Sequence, residues 1–323
     1  MSHEEVIANH SHCLPRRRFV ASAGILTAAA CFSPRHLFAE GENIVLAARK
    51  RAETTDITVQ ALRGNVSALI GSGGNIAVLS GTDGKLVIDS GYATSRAKIT
   101  DAVAKMHPGP IKHLVNTHWH FDHTDGNEWL HSIGAEITAH DNTRKHLSTT
   151  TRVEDWNFTF PPAPPSALPT KLLTGDETLH LNGSTLALKY YGPAHTDSDI
   201  SIEFTDSDIL HVADTFWNGH YPFIDYSTGG NVDGMIRAAE ANVARVTDKT
   251  IVIPGHGPIG NKSQLVEFRD MLVTIREKVA ALKKQGKSRD EVVAAKPSAN
   301  YDAKWGGFVV NGDFFTRLVY AGV

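Results

Sequence analysis

Three imidazoles and a carboxylate fall within six residues in His118-Trp119-His120-Phe121-Asp122-His123. Such groups are costly to bury without partners. Nitrogen and oxygen donors this close together are what zinc takes, usually four at a time. In extended or turning backbone, residues two apart face the same side. His118 and His120 can therefore grip one ion, while Asp122 and His123 project toward a second point. His195, in Gly192-Pro193-Ala194-His195-Thr196-Asp197, follows an apolar run, and so does His256, in Pro254-Gly255-His256-Gly257. Asp214 ends a further run in Val212-Ala213-Asp214-Thr215. Every candidate donor thus lies where a strand gives way to a loop, the edge at which α/β proteins commonly build sites. Two ions sharing a water would make a hydroxide nucleophile near neutral pH, so no serine or cysteine nucleophile is required.

The elements that must position these groups follow from the pattern of apolar residues. Alternation predicts strands over 57–62, 66–70 and 75–79. The turn Thr82-Asp83-Gly84-Lys85 joins 76–80 to 86–89 as a hairpin. Gly71, Gly73 and Gly74 are too loosely spaced for a phosphate loop and read as turn residues. A helix is expected from about 93 to 106, stopped by Pro108-Gly109-Pro110. A strand at 111–115 runs into the histidine cluster. Helices near 126–131 and 143–147 flank a strand at 136–139. Residues 156–169 hold five prolines and read as a loop without regular structure, suited to covering a site. Strands at 185–190, 199–204, 209–212 and 250–253 and a helix near 232–246 complete the reading. Each half contains a hairpin that ends in an aspartate, Asp89 and Asp214, which hints at internal duplication. Leu265, Phe268, Leu272, Ile275, Val279 and Leu282 form a helical stripe too short for a coiled coil, so packing against its own domain is expected.

The chain has 323 residues, 41% hydrophobic and 21% charged, with a net charge of −3. That is an ordinary globular composition. With no basic stripe, nothing suggests a nucleic-acid partner. The first forty residues differ. Arg16-Arg17-Arg18-Phe19-Val20 precedes an apolar run over 21–32, and Leu37-Phe38-Ala39 offers a cleavage point. Residues 1–39 read as a twin-arginine-type signal peptide. Its apolar run is too short to span a bilayer. Export to the periplasm, transient engagement of the twin-arginine machinery and no stable membrane insertion after cleavage are the expectations. Cys13 and Cys31 would leave with the leader, unless Cys31, after Ala29-Ala30, is a lipid-attachment site. Residues 40–55 read as a linker. One domain is expected over 56–323, with a C-terminal helical segment from about 262.

His118-x-His120-x-Asp122-His123, then His195, Asp214 and His256 in that order, resembles the signature of the metallo-β-lactamase-fold superfamily. Asp89-Ser90-Gly91 resembles the motif that precedes the histidine cluster there. The resemblance covers residues 66–260 and implies an αββα four-layer sandwich, with two mixed β-sheets face to face and helices on both outer faces. It implies two Zn2+ per chain. His118, His120 and His195 would hold the first, Asp122, His123 and His256 the second, and Asp214 would bridge them. Asp122 would also orient the hydroxide, and Asp89 would orient a ligand histidine through its far nitrogen. The other eight histidines of the domain (His107, His113, His131, His140, His146, His180, His211 and His220) match no motif and read as ordinary residues.

The resemblance implies a zinc-dependent hydrolase whose hydroxide attacks the carbonyl of an ester, thioester or lactam small-molecule substrate. Asp214 points to the glyoxalase II-like branch, whereas expected export points to a periplasmic β-lactamase. Asp122-His123 resembles the histidine-rich lactamase subclass, which normally lacks the bridging aspartate. An iron-binding redox member of the same fold is the alternative from another class, although such members carry an acidic residue where His120 stands. Trp217, Tyr221 and Tyr226 follow Asp214 and either line the substrate pocket or pack in the core. The sequence does not indicate an oligomeric state.

Overall fold

In the segment Lys85–Ile88 successive side chains point to opposite faces, yet all four residues are buried. A strand of this kind needs cover on both sides of its sheet. The computed structural model, which describes residues 43–323 except Ser72, supplies it with four layers. The first sheet has seven strands in the spatial order β1 (Thr58–Ala61), β2 (Val66–Ile70), β3 (Ile76–Leu79), β4 (Lys85–Ile88), β5 (Ile111–Val115), β6 (Glu136–His140) and β9 (Lys171–Leu173). Strands β1 to β4 pair antiparallel. From β4 through β5 and β6 to β9 the pairing is parallel. The second sheet runs β10 (Glu177–Leu181), β11 (Ser184–Tyr190), β12 (Ile200–Phe204), β13 (Ile209–Trp217) and β14 (Ile251–His256), with only the last pair parallel.

Alternation sorts the apolar residues into layers. Leu79, Leu86 and Ile88 meet Leu186, Leu188, Ile202 and Phe204 between the sheets. Val78, Val87 and Leu114 face outward against α2 (Arg96–Ala104) and α4 (Asn127–Ser132), through Ile99, Val103 and Leu130. On the other side, Leu210, Val212 and Phe216 pack under α6 (Val232–Arg245), α7 (Lys262–Lys284) and α10 (Gly312–Gly322). The chain is thus an α/β sandwich with two mixed sheets and helices on both outer faces. Short helices α3 (Phe121–Thr124) and α5 (Asp141–Ser148) follow β5 and β6, and α8 (Arg289–Ala294) and α9 (Ala299–Trp305) lead into α10. Among the described residues no helix is long and apolar enough to cross a membrane.

Three sequence expectations change. Residues 44–54, read as linker, form helix α1 (Ile44–Thr54), started by the Asn43 side chain accepting from Val45 N–H. The proline-rich stretch is not uniformly irregular. Hairpin β7 (Thr151–Val153)–β8 (Phe158–Phe160) enters it, turning at left-handed Asn157 (φ 47°), and the prolines follow. Residues 209–212 extend to a nine-residue strand, because β13 continues past a bulge to Trp217. The expected signal peptide over 1–39, with Arg16 to Arg18 and both cysteines, lies outside the described residues.

The late helical stripe belongs to its own domain. Helix α7 starts with a capping box between Asn261 and Gln264 and buries Leu265, Phe268, Leu272, Ile275 and Val279. Phe268 is fully buried, its ring centroid 5.1 Å from Phe216 and 5.9 Å from Trp305. Phe268→Ala should lower unfolding free energy by about 3–5 kcal/mol in urea titration. A loss below about 1 kcal/mol would place this helix outside the cooperative core.

Candidate metal centre

The carboxyl ends of β4, β5, β13 and β14 converge on one edge of the sandwich. Strand β4 ends at Asp89, which takes a left-handed turn (φ 66°). Beyond β5 the chain bends through His118 to His120 (φ −58°, ψ 147°), and α3 carries Asp122 and His123. Ala213 (φ 44°), at the bulge in β13, is the other non-glycine residue in this region to take a positive φ, and it sets Asp214 at the edge. Such torsions are uncommon outside glycine. One lies at the aspartate itself just past the end of β4, the other one residue before Asp214 inside β13. His195 comes from the β11–β12 connection, and β14 ends on His256.

These seven side chains form three overlapping groups of facing donor atoms: His118, His120 and His195; His118, His123 and Asp214; and Asp122, His123 and His256. Within each group the donors lie within 4.8 Å of one another. Asp214 stands between them, with Oδ1 3.1 Å from His123 Nε2, and Oδ2 3.4 Å from His195 Nε2 and 3.3 Å from His256 Nε2. All seven are buried; Asp122 and His256, each 8% exposed, face the opening most directly.

Four of the imidazoles that face the centre with one nitrogen have the other engaged. His118 Nδ1 lies 3.0 Å from Thr117 Oγ1. His120 Nε2 lies 3.0 Å from Asp225 Oδ2. His195 Nδ1 is 2.8 Å from the Phe223 carbonyl, to which it can only donate. His123 Nδ1 is 2.7 Å from Asp89 Oδ2. Asp89 also accepts from Thr117 N–H at 2.7 Å and Thr117 Oγ1 at 2.8 Å, so one buried carboxylate orients two histidines. The inward atoms are left in want of a partner. His118 Nε2, His123 Nε2 and Asp214 Oδ1 are buried without a hydrogen bond, and His195 Nε2 faces His120 Nδ1 at 2.8 Å. Buried polar atoms are rarely orphaned. A cation shared among them satisfies all of these lone pairs, so the donor set fits metal ions.

Burial holds His118 neutral, well below the usual imidazole range, aided by neighbouring His123. Burial also opposes a charge on His123 and His256, but carboxylates outweigh it. Asp214, Asp122 and Asp89 raise His123 well above its ordinary range. Asp214 and Asp122 push His256 up to about 9. Asp214, despite burial, is held well below the usual carboxylate range by His256, His123 and two further imidazoles.

A cavity of about 360 Å³ opens over the centre, with His120, Asp122, Asp214 and His256 in its lining. Trp217 is among its lining residues and donates from Nε1 to Asp214 Oδ2 at 3.0 Å. Tyr221 and Tyr226 do not. Tyr221 is fully buried, stacks on Phe315 at 4.8 Å and donates to Asp302 Oδ1 at 2.9 Å. Tyr226 packs in the helical layer near Gly322, away from the cavity lining. Both tyrosines turn into the helical layer, although Phe223 and Asp225 between them reach the ligand histidines.

Sequence reading missed several parts. Asp225 carries no motif, and only the fold brings it to His120. His220 lines the cavity, and His211 ties the sheets by reaching the Asn75 carbonyl at 3.2 Å. Asn75 in turn donates to the Pro254 and Gly257 carbonyls, both at 2.9 Å, bracing the loop around His256. Two glycines are spacers. A Cβ on Gly74 would fall 2.1 Å from the His123 ring, and one on Gly255 would fall 1.9 Å from Asp214 Oδ1.

Residues 69–260 match the family model described as Metallo-beta-lactamase superfamily. A hydroxyacylglutathione hydrolase of Polaromonas sp. is 26% identical over 174 residues, which are 53% of this chain and 58% of that protein. The match therefore spans less than two thirds of that relative's length. Among solved structures, the DIM-1 metallo-beta-lactamase superposes with a TM-score of 0.53 at 20% identity, covering 68% of this chain and 98% of that one. The metallo-beta-lactamase from Pontibacter korlensis gives 0.53 at 18% identity, over 68% and 99%. A double mutant of the sec-alkyl sulfatase PisA1 gives 0.62 at 16% identity, over 85% and 51%. At these identities the likeness is one of fold.

The raised histidines make a prediction about linkage. The carboxylates favour the protonated forms of His123 and His256, and a metal ion must displace those protons to take the nitrogens. Zinc added to chelator-treated protein at pH 7 should release at least one proton per chain, and affinity should climb as pH rises toward about 9. Calorimetry in buffers of different ionisation enthalpy measures this. Binding without proton release would contradict the charge assignment.

Proposed function

The chain belongs to the Metallo-beta-lactamase superfamily, and from that premise we propose that it is a zinc-dependent binuclear hydrolase acting on an ester, thioester or lactam carbonyl. The observation that carries this reading is the convergence of five imidazoles and two carboxylates on one centre, with His120, Asp122, Asp214 and His256 lining an open cavity. The donors are nitrogen and oxygen only, a set suited to zinc. On this reading His118, His120 and His195 would hold one ion and Asp122, His123 and His256 the other, with Asp214 between the two groups. Bound there, such ions would supply a water acidified to near neutrality and polarisation of a carbonyl.

The chain's own residues supply the remainder. Asp89, Thr117, Asp225 and the Phe223 carbonyl fix the ring orientations of four ligand histidines, which keeps their donor nitrogens aimed inward. Trp217 Nε1–H holds the Asp214 carboxylate in place. Asp122, at the cavity surface, is placed to accept a proton from the attacking water and to orient it. Trp156 leans over His120, ring centroids 4.7 Å apart, and limits solvent on that side.

We also propose export. Its support is the basic-then-apolar N-terminal sequence with Ala39 before Glu40, together with the twin arginines.

The test is hydrolysis of phenyl acetate, a glutathione thioester and a chromogenic cephalosporin by zinc-loaded protein beginning at Glu40, with His118→Ala as control. Zinc-dependent turnover of at least one, falling to the uncatalysed rate in the variant, is expected. The responding substrate selects the carbonyl class. Equal rates with and without metal would defeat the scheme.

A further inference from the structure

The region matched by the family model ends at residue 260, yet residues beyond it reach the cavity. Phe308 and Val309, on the irregular stretch between α9 and α10, both line it. The half-buried Phe308 ring lies 6.0 Å from His256, 5.9 Å from Trp217 and 4.8 Å from His220, centroid to centroid. Side chains on a loop are placed less precisely than those on a helix or strand unless the loop is itself held. A second wall from outside the matched region is α1, which contributes Ile44 and Ala48. Asn43 Nδ2 ties it to the Trp156 carbonyl at 3.1 Å, Arg49 to Asp125 at 2.7 and 2.8 Å, and the Thr55 carbonyl to Lys98 Nζ at 2.7 Å.

Tyr221 holds the Phe308 loop from both sides. Its hydroxyl donates to Asp302 Oδ1 at 2.9 Å, with the Ser298 carbonyl 3.2 Å away, and its backbone N–H donates to the Trp305 carbonyl at 2.8 Å. Those contacts fix α9. Its ring stacks on Phe315 of α10, with centroids 4.8 Å and planes 11° apart. Asp302 also lies against the start of α10, where a Cβ on Gly312 would fall 2.1 Å from its Oδ1. Trp305 and Val310, at the two ends of the loop, are buried, and the Asn311 side chain caps α10 by accepting from Phe314 N–H at 2.8 Å. His220, the neighbour of Tyr221 in sequence, lines the cavity under Phe308.

The side chains around Phe308 offer an uncharged surface. Trp217 Nε1–H is engaged by Asp214. Burial, with His256 nearby, pushes His220 down to about 4, so its ring is neutral at pH 7. Phe308 and Val309 have no polar side-chain atoms. A charged substituent placed here would lose water without gaining an opposite charge. We propose that Phe308 is a specificity-determining residue, forming beside His256 a subsite for an uncharged apolar group of the carbonyl substrate, with Tyr221 as the positioning residue that sets it there. The reaction rests on the hydrolase reading; the binding geometry does not.

The test compares phenyl acetate with methyl acetate on the zinc-loaded protein. Phe308→Ala should raise KM for phenyl acetate about tenfold more than KM for methyl acetate, through lost apolar contact. Phe308→Leu, which keeps apolar bulk, should recover most of that difference. Tyr221→Phe keeps the stacked ring and removes the hydroxyl, and should cut the preference for phenyl acetate about threefold through KM rather than kcat. Binding of 2-naphthamide, an uncharged aromatic amide, followed by calorimetry, reads the subsite without turnover. Weaker binding in Phe308→Ala with no ester turnover in wild type would keep the subsite and defeat the hydrolase reading. Unchanged KM ratios and unchanged naphthamide binding in Phe308→Ala would overturn the subsite, and a Tyr221→Phe variant that discriminates like wild type would overturn the positioning role.

Discussion

A buried imidazole can offer a lone pair in one direction only if its other nitrogen is held in place. That constraint organises this structure. Thr117, Asp225, the Phe223 carbonyl and Asp89 each engage the outward nitrogen of one histidine. Their cost is that an inward atom such as His118 Nε2 is buried without a hydrogen-bond partner. Leaving groups of this kind unpaired costs roughly 1–3 kcal/mol each. An arrangement so unfavourable alone becomes favourable once cations fill it, so stability and ligand binding are linked.

Asp89 is the hub of that arrangement. It reaches Thr117 twice and His123 once, and its left-handed turn at the end of β4 aims it there. The two sheets must then stay in register at this edge, because Asp89 comes from one and Asp214 from the other. Asn75 provides the tie, pairing its backbone N–H with the Gly255 carbonyl at 2.8 Å while its side chain braces the turn around His256. Glycine at 74 and 255 lets His123 and Asp214 approach the backbone as closely as they do.

Much of this was legible before any coordinates. The alternating segments became β2, β3, β5, β6, β11 and β12 with nearly the expected limits. The seven facing side chains are those whose spacing drew attention. What escaped reading depends on distance in the chain. Asp225 acquires meaning only by meeting His120, 105 residues away. Helix α1 is rich in arginine and lysine, and without its tethers to Trp156, Asp125 and Lys98 its sequence resembled a linker. Tyr221, read as either pocket or core, takes the core place, stacked on Phe315 and bonded to Asp302. Glycines at 71, 73 and 74 looked like ordinary turn residues because close approach leaves no local signature.

The central claim is that these inward donors are a two-ion site, and the most direct measurement is metal stoichiometry by elemental analysis after equilibration with zinc and removal of free ion. The account predicts two zinc ions per chain, with Asp225→Asn weakening retention about 10–100-fold through the loss of its hold on His120. A wild-type protein that keeps no zinc, or keeps iron with visible absorbance in its place, would contradict it.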